Sequence, residues 1–386
     1  MKRVCVVTGA RSDYGLLKDI MAAIQADVDM ELLVLATGAH LVHDMGMTVG
    51  EIEADGFSID ERVEMVLAGD SPPAVATSVG LGVLGLSGAL TRLAPEVVLL
   101  LGDRYEMLAA AQAAFLLGLP LAHISGGEIT QGAMDDVIRH CITKMAHFHF
   151  TATEEYRRRV IQLGEEPHRV FNVGEIGLER LKHYAFASRE RLAHELGVSL
   201  AAPVLLVTYH PETLADASAA KQCEALLAAL EALSGASLIV TGANADAGGR
   251  SINRLLRKFC AGRADACFHN SLGRHRYLSV LAVADAVVGN SSSGIIEAPS
   301  LKVPTVNIGD RQKGRARAGG IRDVPCQAGA IVQAIRLALS PEGKAAAVAA
   351  SNPYEGTASA ETVKNILKGL AAPGRGKPFY DLPGRA

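Results

Sequence analysis

Short continuous apolar runs alternate along this chain with longer stretches whose apolar positions recur every three or four residues. VCVV (4–7), LLVLA (32–36), VVLLL (97–101), LAHI (121–124) and FHFTA (148–152) show no polar alternation. That is the pattern of strands covered on both faces in a parallel sheet. Segments 15–26 and 107–117 lie between them with helical spacing, so the first half predicts a βαβ series. The pattern then restarts with VLLVTYH (204–210), SLIVTG (237–242), AVVGN (286–290) and TVNIG (305–309), separated by helical stretches 221–233, 251–260 and 276–284. The prediction is an α/β protein of two doubly wound, Rossmann-like domains facing a central cleft, with ligands expected at the carboxyl ends of the strands. The boundary falls within 173–203, and the charged stretch 177–196 reads as helical. This gives an N-terminal domain over 1–175, a C-terminal domain over 176–365 and a tail over 366–386. A last helix is expected at 359–370, and the PGRGKPF tail beyond it reads as loose.

Bulk numbers narrow the function classes. The chain has 386 residues, 49% hydrophobic and 20% charged, enough for two cores. A net charge of −3 gives no electrostatic reason to bind nucleic acid or an anionic membrane. With no Trp and 4% aromatics, base-stacking platforms are not expected. The uncharged stretch 71–91 is rich in Gly, Ser and Thr and reads as a buried helix rather than a membrane span. The six cysteines (Cys5, Cys141, Cys223, Cys260, Cys267 and Cys326) form no CxxC pair and read as reduced core residues of a cytoplasmic protein. MKRVCVVTGA reads as a first strand rather than a signal peptide.

Polar clusters sit where the predicted strands end. TGARSDYG (8–15) joins a strand to a helix start that Ser12 or Asp13 can cap, with Arg11 beside it. Such a helix start attracts phosphate, and a plain β–α turn explains the residues equally well. In LLLGDRYEM (99–107), Asp103 follows a buried strand and precedes Arg104 and Glu106; it is either a site carboxylate or a helix N-cap. In HISGGEITQGAMDD (123–136), a Gly-Gly turn is followed by Glu128, Asp135 and Asp136. Acids there favour a helix N-terminus whatever else they do, and Arg139 is spaced for a helix-surface pair with Asp135. A carboxylate that carries protons needs burial or like-charge neighbours, and this cluster offers both. His210 follows the first strand of the second half in VTYHPET. GNSSSGIIEAPSLKVPTVNIGDRQKGR (289–315) then offers Ser291, Ser292 and Ser293 at a helix start, Glu297 for two ribose hydroxyls, and Arg311 among further cations. His40 and His43, and His147 and His149, lack a third ligand at zinc-like spacing, so no metal is expected.

Together TGARSDYG, LGDRYEM, HISGGE, DDVIRHCITKMAHFH, TEEYRRRVIQLGE, HPET, the 289–315 run and SNPY (351–354) resemble the hydrolysing UDP-N-acetylglucosamine 2-epimerases of sialic-acid biosynthesis. The resemblance runs from Val6 to Tyr354 and implies the GT-B type of fold, whose last helix crosses back onto the first domain. It implies a reaction in which a base takes the C2 proton of the sugar while UDP leaves C1. Water then adds to the glycal intermediate, and a proton returns to C2 on the opposite face. The products are UDP and, for the simplest substrate, N-acetylmannosamine. No redox cofactor is implied. By position, the resemblance implies catalytic roles for Asp103, Asp135 and His210, and nucleotide contacts for Arg11, Arg104, Ser291, Ser292, Glu297 and Arg311; Asn244 is grouped with these. Many members read HIEGGE where this chain has Ser125, and Glu128 is the replacement candidate for that acid. The same departure admits relatives acting on UDP-N,N′-diacetylbacillosamine, which feed legionaminic acid synthesis. Non-hydrolysing epimerases, GT-B glycosyltransferases and a silent nucleotide-sugar sensor are the other readings. The expected partner is a UDP-sugar, with a homo-oligomer (dimer or tetramer) as the assembly.

Overall fold

A computed structural model describes the chain except residues 70, 132, 180, 182–183, 213–216, 244–247, 357–359, 372–375 and 385–386. The chain divides into two compact units: Met1–Glu128, Asp135–Glu179 and Gly356–Ala386 form the first, and Ile129–Met134 with Arg180–Glu355 form the second. It thus leaves the first unit after Glu179 and returns at Gly356, where the sequence placed these points at 175/176 and 365/366.

The first unit holds strands β1 (Lys2–Thr8), β2 (Met30–Thr37), β3 (Glu61–Val63), β4 (Val97–Leu101), β5 (Leu121–Ile124), β6 (Phe148–Thr151) and β7 (Val170–Asn172). They form one parallel sheet in the order β3-β2-β1-β4-β5-β6-β7. Its helices are α1 (Arg11–Gln25), α2 (Val49–Ala54), α3 (Pro72–Leu93), α4 (Tyr105–Leu116), α5 (Asp135–Met145) and α6 (Glu154–Gln162). Successive strand residues point to opposite faces, and both faces are buried here. Val4 and Val6 pack with Leu17, Ile20 and Ile24 of α1, while Cys5 and Val7 pack with Leu86 and Leu90 of α3 and Ala110 of α4. Double coverage is why these strands read as unbroken apolar runs.

Helix α3 departs from expectation. It is long and apolar enough to cross a membrane by length and composition, with a mean hydropathy of 1.6. It is not the buried helix that its lack of charge suggested. Ser78, Gly82, Leu86, Ala89, Leu90 and Leu93 are buried, while Leu81 and Leu84 are exposed. Uncharged composition reports hydropathy but not which face finds a partner.

The second unit repeats the plan with β8 (Val204–Thr208), β9 (Ser237–Thr241), β10 (Ala266–His269), β11 (Ala286–Gly289), β12 (Thr305–Ile308) and β13 (Ile321–Val324) in the order β10-β9-β8-β11-β12-β13, again parallel. Helices α7 (Arg189–Leu196), α8 (Ala219–Glu231), α9 (Gly249–Cys260), α10 (Gly273–Val283), α11 (Ser293–Ile296), α12 (Ala328–Leu339) and α13 (Pro341–Ala349) accompany it. Of the stretch 177–196, only α7 is α-helical among the described residues. A final helix, α14 (Ala360–Gly369), lies in the first unit: Val363 and Leu367 join the core beside α1, and Lys368 reaches Asp27 at 2.8 Å and Asp29 at 2.8 Å. The tail beyond it is not loose where it is described. Lys377 is ion-paired to Glu165 at 2.8 Å, and the Tyr380 amide donates to the Gly164 carbonyl at 2.9 Å. These are two Rossmann-like domains of the GT-B type.

Candidate functional site

Each sheet reverses its strand order once, between β1 and β4 in the first unit and between β8 and β11 in the second. The loops leaving these strands diverge there, so ligands bind at such points. Several candidate residues lie on those loops, while Glu128 and Asp135 follow β5 and Arg311 follows β12. Arg11 follows β1, Asp103 and Arg104 follow β4, His210 follows β8, and Ser291 and Ser292 follow β11.

In the first unit the turn after β1 is tied down by Asp13. Its carboxylate accepts from the Gly9 amide at 2.9 Å, the Ala10 amide at 3.1 Å and the Thr8 hydroxyl at 2.7 Å. Ala10 is therefore the N-cap residue and Asp13 caps from the third helical position, while Ser12 does not hold the cap position. Arg11 points to Glu51 at 3.0 Å. That pair is partly exposed and worth at most about 1 kcal/mol. Beneath these loops lies Glu106, fully buried, with both carboxylate oxygens 3.2 Å from Arg104 nitrogens. Burial raises its pKa against the pull of Arg104. Gly38, at φ +59°, is needed here, because a Cβ would lie 2.6 Å from the Gly9 carbonyl and 2.7 Å from Glu106 Cγ.

Asp103 is not the N-cap of α4; Arg104 occupies that position. Asp103 instead pairs with Arg139, whose side chain is 1% exposed. The same guanidinium donates to the Glu128 carbonyl at 2.8 Å and to Asp136 at 3.3 Å. Beyond the helix-surface pairing that the spacing of Asp135 and Arg139 suggested, Arg139 forms a buried clamp. It gathers Asp103, Glu128 and Asp136 around one cation. Glu128 is 2% exposed. Asp135 opens α5 beside Asp136. Between Glu128 and Asp135, Ile129–Met134 counts with the second unit, where the Gln131 amide donates to the Lys313 carbonyl at 3.0 Å. Ser125 holds φ +66°, a left-handed conformation that costs a non-glycine residue energy. Gly127, at φ +82°, has no room for a side chain, since a Cβ would meet the Tyr156 carbonyl at 2.4 Å.

His123 is a residue that sequence reasoning passed over. It is fully buried on β5, its Nε2 2.8 Å from the Gly102 carbonyl and its Nδ1 3.2 Å from the Thr143 hydroxyl. A carbonyl can only accept, so Nε2 carries the proton and Nδ1 accepts from Thr143. Burial lowers its pKa to about 3, so it stays neutral. It holds the residue before Asp103. A lone buried His in a strand gives no sequence signal of this. The other paired histidines are similarly engaged: His40 contacts Thr8 and Thr48 hydroxyls at 2.9 and 2.8 Å, and His149 contacts Glu165 at 2.9 Å.

In the second unit Asn290 locks the loops together. Its side chain accepts from the His210 amide at 2.7 Å and donates to the His210 carbonyl at 2.9 Å. Its own carbonyl accepts from Gln312 at 2.9 Å and Arg311 at 3.3 Å. His210 itself is 7% exposed. The Ser291 hydroxyl accepts from the Ser293 amide at 3.3 Å and α11 follows. Burial raises the Glu297 pKa, opposed by Arg274 and the Ser293 hydroxyl. The Tyr277 hydroxyl is buried without a hydrogen-bond partner among the described residues. Nε of Arg274 and of Arg311 are buried without a partner among the described residues. A buried donor left unmade costs about 1–3 kcal/mol, so this end of the sheet favours an acceptor-rich group such as a diphosphate. Asn290 was read from sequence only as part of the 289–293 cradle, and Gln312, Arg274 and Tyr277 were not singled out; the last two sit on a helix whose pattern sets no residue apart. Asn244 lies outside the described residues.

Known proteins share both the sequence pattern and the fold. The sequence profile of the UDP-N-acetylglucosamine 2-epimerase family matches residues 22–368. A GDP/UDP-N,N′-diacetylbacillosamine 2-epimerase (hydrolyzing) of Campylobacter jejuni is 43% identical over 323 residues, 83% of this chain and 84% of that one. A UDP-N-acetylglucosamine 2-epimerase of Neisseria meningitidis is 31% identical over 340 residues, 88% of each chain. Among solved structures, a Neisseria meningitidis UDP-GlcNAc 2-epimerase bound to UDP-GlcNAc superposes with a TM-score of 0.78 at 18% identity, covering 95% of this chain and 100% of that one.

Proposed function

The chain belongs to the UDP-N-acetylglucosamine 2-epimerase family, and from that premise we propose that it is a hydrolysing UDP-sugar 2-epimerase whose substrate is UDP-N,N′-diacetylbacillosamine. The observation that carries this reading is the 43% identity to the hydrolysing Campylobacter enzyme over 84% of its length. UDP-N-acetylglucosamine is the second reading, favoured by the 31% identical Neisseria enzyme.

The chemistry assigns work to each residue. Asp103, Glu128 and Asp135 supply the groups that take a proton from C2, return one to the opposite face and activate water, since these events occur at different places around one ring. Arg139 orients Asp103 through its clamp. His210 supports UDP departure. Developing charge on the leaving diphosphate calls for oriented donors and cations: Ser291, Ser292, Arg11, Arg104 and Arg311 have those side chains. Glu297 suits the two hydroxyls of a ribose. Ser125 stands beside Gly126 and Gly127 at the end of β5 and is the residue we assign to sugar choice. No step needs a redox cofactor.

The test is to incubate the protein with each sugar nucleotide in deuterated water. UDP and a free 2-epimerised sugar should appear, faster from the diacetylbacillosamine substrate, with deuterium at C2. UDP release that requires an added acceptor, with the C2 proton kept, would defeat the reading.

A further inference from the structure

The described part of the carboxy-terminal tail, residues 376–384, is fastened beside the helix that carries Asp135, Asp136 and Arg139. Lys377 is the fastening. Its ammonium lies 3.2 Å from the Thr143 carbonyl, 2.6 Å from the Lys144 carbonyl and 2.8 Å from Glu165 Oε2. An ammonium has three N–H donors, and each meets an acceptor here. Two of those acceptors are carbonyls at the end of α5, where helix carbonyls lack partners within the helix and favour a cation. Glu165 is 2% exposed and also receives His149 at 2.9 Å and Lys144 at 2.7 Å. Tyr380 packs on Val160, Ile161 and Val170, and its amide donates to the Gly164 carbonyl. The Phe379 ring occupies the space where a Cβ on Gly164 would stand, 2.3 Å away, and the Lys144 ammonium lies 5.0 Å from its centroid.

One of the residues held by the tail connects to the candidate site. Thr143 accepts from Lys377 through its carbonyl and contacts His123 through its hydroxyl at 3.2 Å. His123 in turn holds the Gly102 carbonyl at 2.8 Å, and Asp103 is the next residue. We propose that this strap is a positioning element of the reaction, with Lys377 as a positioning residue: it fixes the last turn of α5, and Thr143 and His123 pass that constraint to the Gly102–Asp103 turn. The proposal rests on the epimerase reading above. The strap touches no reacting atom; it narrows the range of positions open to Asp103 and to the first turn of α5. Small misplacements of a proton-transfer group cost large factors in rate.

The test uses the full chain with Lys377→Met, which keeps the apolar stem and removes the three donors, and Thr143→Val, which keeps the strap and cuts the link to His123. For Lys377→Met we expect kcat to fall between about tenfold and a hundredfold, KM to stay near the wild-type value, and amide hydrogen exchange over the last turn of α5 to accelerate. For Thr143→Val we expect a comparable kcat loss with the exchange of the strap unchanged. The double variant should lose less than the product of the single losses, because both cut one path. Unchanged kcat in Lys377→Met, whether or not exchange accelerates, overturns the proposal, as do fully multiplicative losses. Wild-type protein that releases no UDP from either sugar nucleotide overturns the epimerase reading instead.

Discussion

Replacing Asp103 by Asn separates its chemical role from its structural one. In the fold, Asp103 accepts from the buried Arg139 guanidinium, which keeps Asp136 at 3.3 Å and the Glu128 carbonyl at 2.8 Å as further partners. Asn retains an acceptor oxygen of the same reach but no charge. The bond to the charged guanidinium is kept, and what is lost is the attraction of a partly buried ion pair, between the roughly 0–1 kcal/mol of an exposed pair and the roughly 3–5 kcal/mol of a fully buried one. The substitution should therefore cost about 1–2 kcal/mol, a melting shift of roughly 2–8 °C for a unit of this size. Proton transfer is a different matter, since an amide cannot take a proton near neutral pH. Losing one general acid–base group lowers kcat by about 10²–10⁴-fold. UDP affinity, assigned mainly to second-unit residues, should stay near the wild-type value. Thermal melts, UDP release kinetics and calorimetric titration with UDP read the three quantities. Asp103→Asn turning over within tenfold of wild type would remove it from proton transfer. An affinity loss as large as the kcat loss would instead place Asp103 in nucleotide binding.

Two further outcomes follow from the fold. Burial alone would raise the Glu165 pKa, but His149, Lys144 and Lys377 outweigh it and hold the carboxylate at about 2 against an ordinary 4.5. A depressed carboxylate pKa contributes stability that is complete above pH 4.5 and is lost as the pH falls towards 2, so Glu165→Gln should cost about 3 kcal/mol at pH 7 and progressively less below pH 4.5; urea unfolding across that range checks it, and a pH-independent difference would count against the ion cluster. Ser125→Gly should be as stable as wild type or more so, because glycine relieves the left-handed φ, whereas Ser125→Val should lose about 2 kcal/mol; a valine variant melting with the wild type would show that the conformation carries no cost.

Much of this was legible in the sequence, and the gaps have physical causes. The nine strands read as apolar runs (VVLLL at 97–101 among them) are β-strands in the structure. The strands passed over are β3, β7, β10 and β13, which are the sheet edges among the described residues. An edge strand buries one side only, so β13 reads IRDV with no apolar run to detect. The loops after β1, β4, β8 and β11 were legible because strand ends with Gly, Asp, Ser or His stand out against apolar neighbours. The Arg139 clamp was not, because its partners Asp103 and Glu128 are distant in sequence and meet only when β4 and β5 pair. The tail was misread for a similar reason: Lys377 and Tyr380 look like ordinary tail residues until Glu165 and Gly164 lie beneath them.

The short edge strands bear on how the protein behaves in a crowded solution. An open strand edge is a template on which another chain can add a strand, the first step towards fibres. At one rim, β3 carries Glu61 and Arg62, tied to Arg92 at 2.7 Å and to Glu53 at 2.5 Å. At another, Asp323 of β13 is tied to Arg317 at 3.2 Å. An incoming strand would have to desolvate these ions or displace their partners for the sake of three or four backbone bonds. Each of these two sheets therefore stops at a rim where charge makes further growth unfavourable, which guards a chain that is 49% hydrophobic against self-templated aggregation.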